Sequence, residues 1–154
     1  MDTPRITELK QKYGAAIIEN GLRHRPDTFI GEVDWRDKVD QHYTRLWLEF
    51  TYGGLFARKR LDDRTRFLVS LTQFLCLAEY EEFEREIDSA LKAGAKPREV
   101  LEVVLQSTVY IGYLRASRGA KLCLKVFEKL GRMDEITNAQ LPLAGRTPER
   151  SLDQ

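Results

Sequence analysis

Residues 61–112 read LDDRTRFLVSLTQFLCLAEYEEFEREIDSALKAGAKPREVLEVVLQSTVYIG, with apolar residues recurring every three or four positions. That spacing places them on one face of a helix, and we predict three helices from it. The first begins near Asp62 or Asp63, either of which can cap it, and is apolar nearly all round. The second ends at Gly94, and Pro97 opens the third, where its missing N–H costs nothing. We therefore expect the first of these helices to lie at the centre of the fold.

Three further helices flank this stretch, over residues 6–17, 39–50 and 120–130. Pro26 and Gly31 are typical breakers and indicate a loop between the first two. We find no useful length of the apolar–polar alternation that a strand would show. The chain is therefore predicted to be all-α, with six helices.

The length and the composition fit one globular domain. The chain has 154 residues, of which 42% are hydrophobic and 32% charged, and its net charge is +1. A charge so close to zero does not recruit nucleic acid or an anionic membrane, so neither is expected as a partner. We predict a single helical domain over residues 1–136. Periodicity fades beyond it, and residues 137–154 are interpreted as a flexible tail or arm.

The sequence also predicts a cytoplasmic location. The first residues lack the apolar run of a secretory signal, and no apolar stretch is long enough to span a bilayer. Cys76 and Cys123 both lie in apolar helical patterns. We interpret them as small buried hydrophobic residues in a reducing compartment.

The predicted helix from Arg98 to about Tyr113 is apolar on all sides. A chain of this length has limited interior to bury both this helix and the central one. We therefore expect part of the apolar surface to contact another subunit.

Glu86 is the acid with the most chemical interest in the second helix of the quoted stretch. Most of the acids around it are interpreted as a solvated face. Glu86 directly precedes Ile87, however, and lies at the edge of the apolar stripe. Desolvation there raises the pKa of a carboxyl group and makes it a useful proton donor or acceptor near neutrality.

Basic residues cluster before and within the first turns of the central helix, at Arg58, Arg64 and Arg66. Cations near a helix N-terminus interact unfavourably with the helix dipole. An anionic partner is therefore expected, either an acid of this chain or an anionic ligand.

Gln106 and Tyr110 lie four residues apart on one face of a very apolar helix. They either bond to one another or to a neighbouring helix, or they line a pocket. His42 lies on the same helical face as Leu46 and is either a solvated or capping group or part of a site. It is not at metal-ligand spacing with His24, and no metal site is predicted.

In order and spacing, several of these residues resemble the carboxymuconolactone decarboxylase family. The matching residues are Arg64-Thr65-Arg66, Ala90-Leu91 with Gly94, Glu99, Glu102-Val103, Gln106 and Tyr110-Ile111-Gly112. The resemblance is strongest over residues 56–131. It departs from the family at Glu86, where the family has histidine, and at Leu114, where it has proline. The related alkylhydroperoxidase D branch carries a Cys-x-x-Cys pair, and Tyr80 and Phe83 stand at those positions here.

The resemblance implies an alkylhydroperoxidase D-like helical fold that assembles as trimers or hexamers. It implies a carboxy-lyase of aromatic-compound catabolism that needs no metal or organic cofactor. The substrate would be a small anionic lactone or keto acid, changed by decarboxylation or a related proton transfer. Glu86 would act as acid or base and Tyr110 as donor to the enolate oxygen, with His42 in reserve. Substrate binding would fall to Arg58, Arg64, Arg66 and Gln106.

Two alternatives stay open on the same scaffold. One is a thiol-dependent, peroxidase-like antioxidant protein, against which the missing Cys-x-x-Cys pair argues. The other is a non-catalytic oligomeric protein that binds a ligand, motivated by the loss of the family histidine.

Overall fold

A computed structural model describes residues 2–137, and within that range the chain forms helices and no strands. The all-α prediction is confirmed. The predicted tail lies outside the described residues, except for Thr137. The elements in chain order are α1 (Pro4–Tyr13), α2 (Ala15–His24), α3 (Phe29–Val39), α4 (Gln41–Leu48), a π-helical segment (Glu49–Leu55), α5 (Asp63–Leu77), α6 (Tyr80–Lys92), α7 (Pro97–Gln106), α8 (Thr108–Ile111), α9 (Tyr113–Lys129) and α10 (Asp134–Thr137).

Local signals of the quoted stretch begin its helices as predicted. The side chain of Asp62 caps α5 by accepting a hydrogen bond of 2.7 Å from the Thr65 N–H. Pro97 is the first residue of α7, and the Glu99 carboxylate accepts from the Lys96 N–H at 2.9 Å. These contacts satisfy backbone donors that the first turn of a helix leaves unpaired.

Three of the predicted helices are divided. The one over residues 39–50 is broken at its start by Asp40, between α3 and α4, and the other two are broken further inside. Gly14 has a φ of 98°, a conformation that ends α1 and begins α2 where one continuous helix was expected. The predicted helix to Tyr113 ends at Gln106, and the short α8 then stops at Gly112, whose φ is 80°. The wider pattern of apolar residues continues across these last two breaks, which is why the spacing alone did not reveal them.

The predicted loop around Gly31 was wrong, because Gly31 lies inside α3. Glycine lowers helix stability by only about 1 kcal/mol relative to alanine. Phe29 and Val33, both on α3, are completely buried, and this packing outweighs the weak local preference.

The buried apolar side chains form two clusters. The first joins α1–α4 and the π-helical segment, through Leu9, Tyr13, Ile18, Phe29, Val33, Leu48 and Tyr52. The second is built mainly by α5, α6, α7 and α9, around Phe67, Leu71, Leu75, Phe83, Ile87, Val104 and Phe127. The end of α2 links the two clusters, because polar side chains there reach acids of α5 and α6.

The two cysteines differ in exposure. Cys123 is buried in the second cluster, as predicted, whereas Cys76 is exposed near the end of α5, contrary to the prediction. Cys76 lies on the side of α5 that also exposes Val69, a face that the described part of the chain leaves uncovered. Among the described helices, none is both long and apolar enough to cross a membrane.

Candidate functional site

Glu86 is buried on α6, with 3% of its surface exposed. It lies beside Ile87 on the face of α6 that packs into the second apolar cluster. Its Oε2 accepts a hydrogen bond of 2.9 Å from Arg25 Nη2, and its Oε1 accepts one from the Ser70 hydroxyl. Burial raises the pKa of Glu86, although Arg25 and Ser70 oppose the shift. The Glu86 carboxyl group therefore holds a proton more tightly than a carboxyl group in water does.

A cavity of about 280 Å³ opens beside Glu86, and we call it the Glu86 cavity. One side carries Glu86, Ser70 and Arg25. Its wall is strongly aromatic, built from Trp47, Tyr52, Phe56, Phe67 and Phe74. A carboxyl group that faces an aromatic wall meets little water, which strengthens its electrostatic interactions with a bound molecule.

The π-helical segment supplies part of this wall. Tyr52 lies within it, and the Tyr52 carbonyl accepts a hydrogen bond of 3.0 Å from the Asn20 side chain on α2. The Tyr52 ring stacks on Phe56 at a centroid distance of 5.5 Å and meets Trp47 edge-on at 5.4 Å. Short π-helical segments are often found at functional sites, and this one brings three aromatic rings to one side of the cavity.

Arg36 enters the cavity from α3 between two tryptophan rings. Its guanidinium carbon lies 4.1 Å from the ring centroid of Trp35 and 3.9 Å from that of Trp47. Arg36 Nη1 donates to the Glu32 backbone carbonyl at 2.9 Å and to the Glu32 carboxylate at 2.5 Å. The stacking holds the guanidinium plane in one orientation, as is typical of arginines that bind carboxylates.

His24, the last residue of α2, also lines the cavity and is 2% exposed. Its ring lies 4.3 Å from the Phe56 ring centroid. His24 Nε2 is 3.4 Å from Asp63 Oδ1 and 3.5 Å from Arg23 Nη2. Burial lowers the pKa of His24 to about 4, and the nearby arginines add to the shift while Asp63 opposes it. His24 is therefore neutral at pH 7.

The sequence model of the carboxymuconolactone decarboxylase family matches residues 41–124, more than half of the chain. The chain belongs to this family. No curated protein matches it. The match contains Glu86, Ser70 and the aromatic wall, but it begins after His24, Arg25 and Arg36. Helices outside the family match thus contribute the basic groups of the cavity.

The residues predicted from the family pattern do not all meet in this chain. Glu86 lines the cavity just described, whereas Tyr110 and Gln106 line a separate apolar hollow of about 340 Å³ beside Cys76. Tyr110 is 77% exposed. The break at Ser107 turns α8 away from α7, and within one chain the phenol and the Glu86 carboxyl face different spaces.

The predicted arginines lie outside the Glu86 cavity as well. Arg64 is paired with Glu99. Its anionic partner is therefore an acid of this chain, which is one of the two partners that the sequence left open. Arg66 donates a hydrogen bond to the backbone carbonyl of Arg58. The residue Arg58 is itself exposed. His42 is exposed on α4. The cation that does bond Glu86 is Arg25, 61 residues earlier in the chain.

Sequence reasoning missed His24, Arg25 and Arg36. The only local signal was Trp35, which directly precedes Arg36 in the sequence. Its ring lies against the Arg36 guanidinium in the fold, together with that of Trp47. His24 and Arg25 lie in a segment without a motif, next to a residue taken as a loop breaker. Their burial arises from contacts with Phe56, Asp63 and Glu86. The spacing of residues near His24 and Arg25 does not predict these long-range contacts.

The two cysteines and the possible metal ligands are less well placed for thiol chemistry or metal binding than the groups of the Glu86 cavity are for proton transfer. Burial raises the pKa of Cys123 to about 12, so this thiol is a poor nucleophile, and Cys76 is exposed on another helix. Within residues 2–137, no three His, Cys, Asp or Glu residues are grouped so that they could hold a metal ion.

Proposed function

We propose that this chain is a cofactor-independent enzyme that acts on a small lactone or keto acid by decarboxylation or a related proton transfer. Glu86 is the proton donor and acceptor. The observation that carries the proposal is a carboxyl group with 3% exposure and a raised pKa beside a cavity with aromatic walls and two arginines. Membership of the family supports the same reaction class.

The chemistry of decarboxylation fits the groups around Glu86. The bond to the departing carboxylate breaks, carbon dioxide leaves, and the electron pair moves into a conjugated carbonyl to form an enolate. Protonated Glu86 then gives its proton to the carbon that lost carbon dioxide, and it becomes a carboxylate. Arg25 and the Ser70 hydroxyl already bond its two oxygens and stabilise that charge. Exchange with water returns the proton before the next cycle.

A role for Tyr110 as donor to the enolate oxygen requires a second copy of the chain. Within one chain Tyr110 faces a different hollow from Glu86, together with Gln106. We propose that the chain self-associates as a trimer or hexamer, as implied for the family. Val109, Tyr110, Tyr113 and Leu114 are all more than 70% exposed, which supports an interface at α8 and the start of α9.

The proposal is tested by replacing Glu86 with glutamine, which keeps size and hydrogen bonding but cannot titrate. Turnover would be measured on a panel of lactone and keto acids, as release of carbon dioxide and as deuterium uptake at carbon in heavy water. We expect Glu86→Gln to lower turnover by about 10²–10⁴-fold, the usual contribution of a general acid or base. Glu81→Gln is the matched control, since Glu81 is exposed on the same helix.

Full turnover by Glu86→Gln would remove Glu86 from the mechanism. Binding of panel members to the wild type without any turnover would instead favour a non-catalytic ligand-binding protein. The peroxidase alternative predicts thiol-dependent peroxide reduction that Cys76→Ser abolishes. The positions of the two cysteines give it no support.

A further inference from the structure

Two buried side-chain nitrogen atoms in the described part of the chain have no hydrogen-bond partner, His24 Nδ1 and Arg36 Nε. Both belong to side chains that line the Glu86 cavity. An unsatisfied buried polar group is unfavourable, and folded proteins contain few of them. Two such atoms around one cavity indicate that a bound molecule completes their hydrogen bonds.

Arg36 defines what one end of that molecule must offer. Glu32 occupies Nη1, and the rings of Trp35 and Trp47 stack on the guanidinium. Nε has no partner among the described residues, and a ligand could complete its bonding. Carboxylates bind the edge of a guanidinium through two parallel N–H···O bonds, so a carboxylate is the best complement.

His24 indicates which chemical group the other end of the bound molecule must carry. Asp63 favours a proton on Nε2, which leaves Nδ1 as an acceptor, whereas Arg23 favours the opposite tautomer. A hydroxyl group both donates and accepts a hydrogen bond. It therefore satisfies Nδ1 in either tautomer, whereas a second carboxylate can only accept.

Aromatic rings connect these two ends. Arg36 stacks on Trp47, Trp47 contacts Tyr52, and Tyr52 stacks on Phe56, which packs against His24. A flat ring gains the most contact with such a wall. A volume of about 280 Å³ is at the lower limit of small-molecule sites, which favours a single ring.

The acids around the cavity disfavour a ligand with two carboxylates. Arg25 is occupied by Glu86 and has Glu82 4.0 Å away. Burial raises the pKa of Glu32, but hydrogen bonds from Arg36 and Trp35 outweigh it and keep the carboxyl ionised. Arg36 is itself paired with Glu32 and, in the described part of the chain, has only Nε recorded as unpaired, so a second carboxylate on the ligand would meet these acids without an arginine donor to bind it.

We infer that the Glu86 cavity binds a planar, single-ring monocarboxylate with a hydroxyl group remote from the carboxylate, which Arg36 holds by the carboxylate and His24 by the hydroxyl. The inference rests on the proposed function in one respect only, which is that the Glu86 cavity is the substrate-binding site. It narrows the proposed lactone or keto acids to those built on a single ring that carries one carboxylate and one hydroxyl.

Calorimetric titration of the wild-type chain tests the ligand chemistry directly. The probes are 3- and 4-hydroxybenzoate, with benzoate, 4-fluorobenzoate, terephthalate and 4-hydroxybenzyl alcohol as comparisons. We expect one of the hydroxybenzoates to bind about tenfold more tightly than benzoate and 4-fluorobenzoate, the effect of one hydrogen bond. Terephthalate and the alcohol should bind more weakly than that hydroxybenzoate. Equal binding of benzoate and both hydroxybenzoates, or no binding at all, would overturn the inference.

Two variants then test which residue binds the carboxylate of the ligand and which binds its hydroxyl group. His24→Phe should abolish the preference for the hydroxyl group and leave benzoate affinity unchanged. Arg36→Gln should weaken hydroxybenzoate and benzoate alike while the alcohol is unaffected. A preference for the hydroxyl group that survives in a folded His24→Phe chain contradicts the assignment. If His24→Phe does not fold, the wild-type comparison of probes still decides.

This experiment is separable from the test of catalysis, because it measures binding alone. Glu86→Gln should retain the preference for the hydroxyl group. If the preference is found but Glu86→Gln keeps full turnover, the proposed reaction fails and the ligand assignment stands. If Glu86→Gln loses turnover on an acid without a hydroxyl and no preference is found, only the ligand assignment fails.

Discussion

At the scale of single residues, the site depends on polar groups that are removed from water but kept close to opposite charges. Glu86 lies between Arg25 and Ser70, and His24 lies between Asp63 and Arg23. Burial disfavours the charged form of both groups, so the carboxyl holds its proton more tightly and the imidazole less tightly than in water. At pH 7 the cavity therefore offers a neutral imidazole beside a carboxyl group whose pKa is raised.

The lowered pKa of His24 predicts a loss of stability in acid. The unfolded chain protonates His24 near its ordinary pKa of 6.5, whereas the folded chain does so only near pH 4. Between these values the unfolded state binds more protons, so the free energy of unfolding falls as the pH decreases. We expect wild type to lose on the order of 2–3 kcal/mol more than His24→Phe between pH 7 and pH 4. Denaturant unfolding at several pH values measures this difference.

The other histidine of the chain provides the control. His42 is exposed on α4, so His42→Gln replaces a histidine that lies outside the cavity. The titration of Glu86 is common to all three chains and cancels in the comparison. Parallel curves for wild type and His24→Phe would show that His24 titrates normally in the folded chain.

At the scale of helices, the contact between α2 and α3 positions the end of α2 beside the cavity. Gly21 allows this contact, because a Cβ atom there would overlap the buried ring of Phe29. We expect Gly21→Ala to destabilise the fold by about 1–3 kcal/mol, as overpacking of a core does. It should also weaken ligand binding, because His24 follows three residues later on the same helix. Thermal and denaturant unfolding, with the calorimetric titration above, measure both effects.

Gly31 is the matched control for that substitution. It lies inside α3, and a Cβ atom there would meet nothing within 4 Å. Gly31→Ala should therefore stabilise the chain by about 0.5–1 kcal/mol through helix propensity alone. If both variants were equally stable, close packing at Gly21 would not be what sets the approach of α2 to α3.

At the scale of the whole molecule, the four most exposed large apolar side chains of residues 2–137 lie on α8 and at the start of α9. Leu114 is 88% exposed there, and Tyr110 and Tyr113 are nearly as accessible. Such a patch is typical of a protein interface. We expect the wild-type chain to sediment as a trimer or hexamer at micromolar concentration and Leu114→Glu to shift it toward monomer. Val39→Glu, at an exposed position of α3, should leave the assembly unchanged.

The wild-type result is decisive for this prediction. A monomer at those concentrations would leave the patch without a partner copy. It would also remove the route by which Tyr110 could reach a Glu86 cavity. An assembly that Leu114→Glu does not disturb would place the interface on another surface of the molecule.

The sequence by itself determined the helical class, the cap at Asp62, the start of α7 at Pro97 and the location of Glu86 beside the apolar stripe of α6. Each of these depends on residues within one or two helical turns, where spacing and backbone hydrogen bonding decide the outcome. The family, too, was recognisable from the order of residues along the chain.

Only the tertiary structure decided which groups surround that carboxyl. Arg25 reaches Glu86 across 61 residues, and Tyr110 faces another hollow although it lies closer in sequence. His24 and Glu86 are buried where side chains at the end of α2 contact α5 and α6. Desolvation and ion pairing act through space, and a helical pattern specifies which face is buried but not what it is buried against.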